Sequence, residues 1–255
     1  MHDTYFQKAK GTMFIKLAAL AIIGALTVAC SSVDSDAVGS INKVYRLASV
    51  DNYNEQSIRH CNRASNAPTL VTFDDSGTPE QIKAILDKLD QYNMRAAFFP
   101  VGEWAEKNMD LINEMKVRGH IVGNHTYSHA RLGQLSVTDE AKFYGEIYPS
   151  DGIANTDPML LRPPFEDGAY TDGLATKLTS KNIQECTWTV DSHDWDGSSV
   201  EQIMNRLQNG DQYTQPLGRG DVVLFHMFYA NAPKLIDAFV SHLMQMNVSY
   251  ETIHS

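Results

Sequence analysis

Nowhere in these 255 residues is there a Lys- or Arg-rich block, and the formal net charge is −10. A chain of that sign does not neutralise phosphates, which sets nucleic acid aside and leaves a neutral or cationic partner. From Pro68 onward there is no internal repeat and no low-complexity tract, so a repeat array is excluded. Long apolar runs are scarce as well. The run inside "MFIKLAALAIIGALTVAC" is about 17 residues, marginal for crossing a bilayer. Cysteine is sparse: Cys30, Cys61 and Cys186 are all there is.

What is present begins with an address. Lys16, an apolar run and small residues before Cys30 have the layout of a secretory signal, so residues 1–29 read as a signal peptide, with Met13 as an alternative start. Ala29-Cys30-Ser31-Ser32 resembles a bacterial lipoprotein processing site, at which Cys30 would be lipidated; Thr27 holds the place usual for Leu, and Leu26 precedes it. An ordinary cleaved signal or a single anchoring helix are the alternatives. Each of these exports the domain, as a lipoprotein on the periplasmic face of a bacterial membrane or as a secreted protein. Membrane contact is expected only through the lipid anchor, and the chain is read as a monomer. Cys61 and Cys186 then remain, and an oxidising compartment permits a bond between them. Residues 30–66 are polar and weakly periodic, a tether and N-terminal extension ahead of a domain at 67–255. With 43% hydrophobic residues the chain can bury a full core.

From Pro68 the pattern is regular. Strand candidates are "TLVTFDD", "RAAFFPVG", "HIVGNH", "MLLRPPF", "QECTWTVD", "DVVLFH" and "VSYETI". Between them lie helical stretches: Ile82, Ile85, Leu86 and Leu89 at helical spacing behind Thr78-Pro79, one ending at Gly119, and others near 138–147, 172–181, from Ser199, and near 231–246. Strand and helix alternate about seven times, which argues for parallel strands with helical crossovers, closed as a barrel or open as a doubly wound sheet.

"FDD", "NHTYSH", "RPPF", "DSHDW" and "FH" each end a different predicted strand, and in a parallel barrel those ends share the face where active sites are built. His125 and His129, four apart, would share one face of a helical turn. A catalytic metal site typically needs three protein ligands, and a carboxylate from Asp74-Asp75 is a natural third. Neighbouring strand residues face opposite ways, so both aspartates can point inward only if the strand bends, a bend that Ser76-Gly77 supplies. One carboxylate could then hold metal while the other accepts a proton from water beside it; helix capping by the pair is the plain alternative. Arg162 suits the orienting of a carboxylate or a surface ion pair, and His226 suits a shielded proton donor, held protonated by Asp194, or a satisfied core histidine. Trp195 could wall a sugar-sized pocket, whereas Trp188 reads as core.

In this order and spacing the stretches resemble the polysaccharide deacetylases of carbohydrate esterase family 4, the NodB-homology family, over about residues 61–250. The resemblance implies a distorted (β/α) barrel of about seven parallel strands with helical crossovers. It implies a hydrolase that removes N-acetyl groups from N-acetylglucosamine-containing glycans such as chitin oligomers, peptidoglycan or poly-N-acetylglucosamine. O-deacetylation of acetylated xylan, or an inactive metal-containing glycan-binding domain, are the alternatives. It implies Asp74 as base, Asp75, His125 and His129 as ligands of one divalent metal (zinc, or cobalt or nickel), and Arg162 bracing Asp74. His226 would be the acid tuned by Asp194, with the backbone N–H of Phe165 on the oxyanion and Leu224 and Trp195 lining the acetyl pocket. Three places depart from the family pattern: Ser76-Gly77-Thr78-Pro79 where Gly-Pro is common, Glu166 where Gly is common, and Met227-Phe228 where Asp is often seen.

Overall fold

The computed structural model describes residues 58–147 and 152–253. The signal-like stretch, Cys30 and the tether up to residue 57 lie outside these residues. In chain order the elements are β1 (Leu70–Asp75), α1 (Pro79–Gln91), β2 (Ala96–Pro100), α2 (Gly102–Lys107), α3 (Met109–Val117) and β3 (Ile121–Val122). Next come α4 (Leu132–Thr138), α5 (Glu140–Ile147), β4 (Met159–Leu161), α6 (Asp172–Thr179) and β5 (Ile183–Glu185). The chain ends with β6 (Val190–Asp191), α7 (Val200–Asn209), β7 (Val222–His226) and α8 (Ala232–Met246).

Among the described residues every strand pair is parallel, in a five-stranded sheet of order β3-β2-β1-β7-β6 and a two-stranded sheet β4-β5. A single bridge between Asn124 and Leu161 joins the end of β3 to β4. The stretch between β5 and β6 is covered instead by the N-terminal segment: the Thr187 N–H donates to the Ile58 carbonyl at 3.1 Å, and Cys61 is bonded to Cys186 with S–S 2.05 Å.

The strands that the sequence predicts are corrected in two places. "QECTWTVD" is not one strand but two, β5 and β6, because the carbonyls of Cys186 and Thr187 turn to the Arg162 guanidinium rather than to a ladder. "VSYETI" forms only two isolated bridges, Thr69 with Tyr250 in parallel and Met94 with Thr252 in antiparallel sense. Helix α2 was not foreseen, and the stretch near 138–147 begins earlier and divides into α4 and α5.

Side-chain alternation sorts the core into layers. Val71 and Phe73 of β1 face a cluster with Ile82, Ile85, Leu86 and Leu89 of α1 and with Leu235, Ile236 and Phe239 of α8. Leu70 faces the other way, into a cluster with Ala97, Phe99, Val222 and the two bonded cysteines, against which Trp188 packs. Each fully buried aliphatic side chain contributes roughly 1.5–3 kcal/mol, so the α1 face alone anchors the helix that follows the site. Helix α1 starts on a capping box in which Thr78 and Gln81 satisfy each other's backbone N–H, with Pro79 in the first turn. The cap is thus Thr78, which leaves both preceding aspartates for other work.

Candidate active site

The bend that brings both carboxylates to one side lies at Asp75 itself, whose φ is 73°. Ser76-Gly77 does not make it; Gly77 is needed because a Cβ there would stand 2.7 Å from the Met227 carbonyl oxygen. A left-handed φ on an Asp costs little among non-glycine residues, and the turn is locked by Val101 and Met227 N–H groups donating to the Asp75 and Asp74 carbonyls at 2.9 and 3.0 Å.

His125 and His129 do not sit on a helical turn, as their spacing predicts. They lie on an irregular loop after β3, in which Thr126 and His129 have φ of 63° and 61°. The loop is held from behind: Ser128 donates its N–H and hydroxyl to Glu146 at 2.8 Å each, and Ala130 N–H donates to the Thr126 hydroxyl at 3.0 Å. Irregular or not, the loop brings the two Nε2 atoms to 3.3 and 3.1 Å from Asp75 Oδ1.

His125 Nδ1 is 2.8 Å from the Arg162 carbonyl. A carbonyl only accepts, so Nδ1 carries the proton and a neutral ring turns its Nε2 lone pair toward Asp75. Burial alone would raise the Asp75 carboxyl; the His125 and His129 imidazoles when protonated, together with the charge of His226, reverse this and hold it well below the usual carboxylate range. Asp75 Oδ1 is buried and accepts no hydrogen bond, and one atom each of Asp75, His125 and His129 lie within 4.8 Å of one another. Two imidazole nitrogens and a carboxylate oxygen converging on an unsatisfied point fit a divalent cation of the zinc, cobalt or nickel type.

Arg162 directly follows β4 and has no solvent exposure. Its five N–H donors meet the Cys186 carbonyl at 3.0 Å, the Thr72 hydroxyl at 2.7 Å, Asp74 Oδ1 at 2.8 Å, the Thr187 carbonyl at 2.7 Å and Cys186 Sγ at 3.8 Å. Its guanidinium lies over the Phe99 ring at 4.2 Å. With Oδ1 tied down, Asp74 Oδ2 faces the trio, 3.7 Å from His125 Nε2.

Across the site, His226 at the end of β7 pairs in register with Asp74. Asp194 grips it twice: the His226 backbone N–H donates to Oδ2 at 2.8 Å, and ring Nδ1 meets Oδ1 at 2.6 Å. Burial alone would lower this imidazole, but the bond and charge of Asp194, with the charges of Asp74 and Asp75, push it up to about 9. Its Nε2 points toward the trio, 4.0 Å from Asp75 Oδ2.

The rim is aromatic. Phe165, with φ 61°, sets its ring edge-on to His129 at 4.6 Å and under the Arg131 guanidinium at 4.1 Å. Trp195 is exposed and stacks on His193 at 5.1 Å, while Leu224 is buried on β7, in register with Thr72. Glu166 is drawn aside by Tyr170, whose hydroxyl donates to it at 2.6 Å, and by Arg59 at 3.8 Å. Met227 is buried in the core, and Phe228 instead stands beside His226 at 5.1 Å. Sequence reasoning missed Thr72 and Glu146. Thr72 was findable, lying two residues before Asp74 on the same strand face; nothing local marks Glu146 as the support of a loop 18 residues earlier.

Residues 62–186 match the family model for polysaccharide deacetylase. A peptidoglycan-N-acetylglucosamine deacetylase of Bacillus cereus is 35% identical over 147 residues, covering 56% of this chain and 52% of that protein. The chain thus spans about half the length of that relative. A second Bacillus cereus protein of the same description is 30% identical over 166 residues, covering 61% of this chain and 70% of the relative. Among solved structures, the family 4 carbohydrate esterase from Streptomyces lividans in complex with acetate matches with a TM-score of 0.61 at 28% identity, covering 73% of this chain and 93% of that one.

Proposed function

The chain belongs to the polysaccharide deacetylase family, carbohydrate esterase family 4, and on that premise we propose that it hydrolyses N-acetyl groups of N-acetylglucosamine-containing glycans. The observation that carries the reading is the convergence of three ligand atoms of Asp75, His125 and His129 between a carboxylate tied to a buried arginine and a histidine tied to a buried aspartate.

An acetamide is a poor electrophile with a poor leaving group, so its hydrolysis needs an activated water, oxyanion stabilisation and an acid. Asp75, His125 and His129 would hold one divalent ion, which when bound supplies Lewis acidity, strengthening water as a nucleophile and polarising the carbonyl. Asp74, its Oδ1 fixed by Arg162, takes the proton from the attacking water on Oδ2. The Phe165 backbone N–H donates to the developing oxyanion. His226, protonated and oriented by Asp194, gives its Nε2 proton to the departing amine. Leu224 and Trp195 line the acetyl pocket.

We further read the chain as exported, lipid-held at Cys30 or released, a setting that suits the Cys61–Cys186 bond. The central experiment measures acetate released by the full chain from chitin oligomers, peptidoglycan, poly-N-acetylglucosamine and acetylated xylan, with and without chelator. Chelator-sensitive release from an N-acetylated glycan is expected; release from acetylated xylan alone would replace the amide reading with an ester one.

A further inference from the structure

Beyond Trp195, a row of aromatic rings continues away from the site through residues that the chemistry above does not use. Trp195 follows Asp194, the residue that grips His226, and its ring stacks on His193 at 5.1 Å and 29°. His193 in turn stacks on Tyr213 at 5.5 Å and 25°. The two outer members are exposed, Trp195 at 52% and Tyr213 at 72%, so a row of three rings leads away from the turn that carries the proposed acid.

The loop that carries the far end of the row is held by hydrogen bonds. Asp211 Oδ1 accepts the N–H groups of Tyr213 and Thr214 at 2.8 and 3.0 Å, and the Asp191 N–H donates to the Thr214 hydroxyl at 3.2 Å. Gly210 has φ +69°, and a Cβ there would meet Pro216 Cδ at 2.8 Å. Arg206 rivets the assembly from α7, donating to the Ser192 carbonyl at 2.7 Å and to Asp211 Oδ2 at 2.9 Å. Ordering a loop on binding costs free energy, so an exposed aromatic on a loop already held this way is a preorganised contact.

Beside it runs a polar cleft of about 430 Å³ lined by Glu201, Gln202, Asn205, Arg206 and Asp211 among others. A flat aromatic face next to amide, carboxylate and guanidinium groups is the combination that recognises a pyranose, whose C–H face packs on the ring while its hydroxyls need hydrogen-bond partners.

We propose that Tyr213 is the platform of a distal sugar subsite, which seats a pyranose ring of the glycan beyond the one being deacetylated, with its polar edge toward the α7 cleft. This rests on the deacetylase reading for the identity of the chain that is bound, and it makes Tyr213 a residue that selects long substrates over short ones.

The test compares the full chain with its Tyr213→Ala and Tyr213→Trp variants on β-linked N-acetylglucosamine oligomers from dimer to hexamer. In Tyr213→Ala the loss in kcat/KM grows with chain length, reaching roughly three- to tenfold on the hexamer and falling on KM. Tyr213→Trp, which keeps a stacking face, retains the preference for long oligomers. A loss of the same size at every length, or none, overturns the subsite while leaving the deacetylase reading intact. Calorimetric binding of the hexamer to chelated protein is the second readout. If no variant releases acetate but Tyr213→Ala binds hexamer more weakly than wild type, the subsite stands without the deacetylase reading. Equal affinity, or no binding by wild type, overturns it.

Discussion

At the scale of single residues, the two adjacent aspartates divide their work because one of them leaves the strand geometry. Asp74 keeps the alternation of β1 and points inward beside Thr72 to Arg162, while Asp75 would face the helices had its φ not turned to 73°. Replacing Arg162 by Met strands the Asp74 carboxylate and the Cys186 and Thr187 carbonyls in a dry interior. Removing one partner of a buried pair costs about 3–5 kcal/mol, so Arg162→Met should shift the urea midpoint by that equivalent; an unchanged midpoint would show that Asp74 finds other support. His226 permits a pH prediction. Its imidazole is raised from 6.5 to about 9, and in the proposed role of acid it must be protonated to act, so it would set the alkaline limb of kcat/KM. With a cation on Asp75, Asp194 is the main anion left to hold the imidazolium. Asp194→Asn should therefore move the alkaline limb to lower pH and leave the acid limb in place at constant metal content. The same sign governs folding: the charged pair's contribution is full below pH 6.5 and fades as pH rises through about 9. An alkaline limb that stays put would remove Asp194 from this role.

At the scale of elements, the site is made by strand ends whose neighbours lie far off in sequence. The disulfide between Cys61 and Cys186, 125 residues apart, fastens the N-terminal segment to the stretch between β5 and β6. That stretch supplies two carbonyls to Arg162, so the bond backs the residue that aims Asp74. Cys61→Ala with Cys186→Ala should lower stability by about 2–4 kcal/mol and should also lower acetate release. Denaturation and activity measured on the same preparation check both. A stability loss with unchanged kcat would show that Arg162 keeps its carbonyls without the bond.

At the scale of the whole molecule, a metal that binds the folded chain alone stabilises it by mass action, about 2.7 kcal/mol at a concentration one hundred times its Kd. For a domain of this size that is roughly 5–10 °C in Tm. Chelation should thus lower the Tm and stop acetate release, and a divalent ion should restore both. The ligand assignment is falsified if the chelated protein melts as before and still releases acetate.

The sequence by itself determined the alternation of apolar strands and amphipathic helices, and so the parallel α/β class, because periodicity is a local property of the side chains. It also marked Asp74, Asp75, His125, His129, Arg162 and His226 as polar groups ending apolar stretches. Thr72, which strand alternation places on the face of Asp74, was not marked. The His125–His129 pair was identified by a spacing whose reason was wrong: the loop is not helical, and Glu146 shapes it from another element. The pairing of Arg162 with Asp74 and of Asp194 with His226 is expected from the family resemblance, but only the tertiary structure decided the contacts, Arg162 reaching Asp74 across 88 positions and Asp194 gripping His226, and that Tyr213 extends the row from Trp195 through His193. Such contacts depend on which strand lies beside which, and the order β3-β2-β1-β7-β6 is set by the packing of all the layers together, which no short stretch encodes.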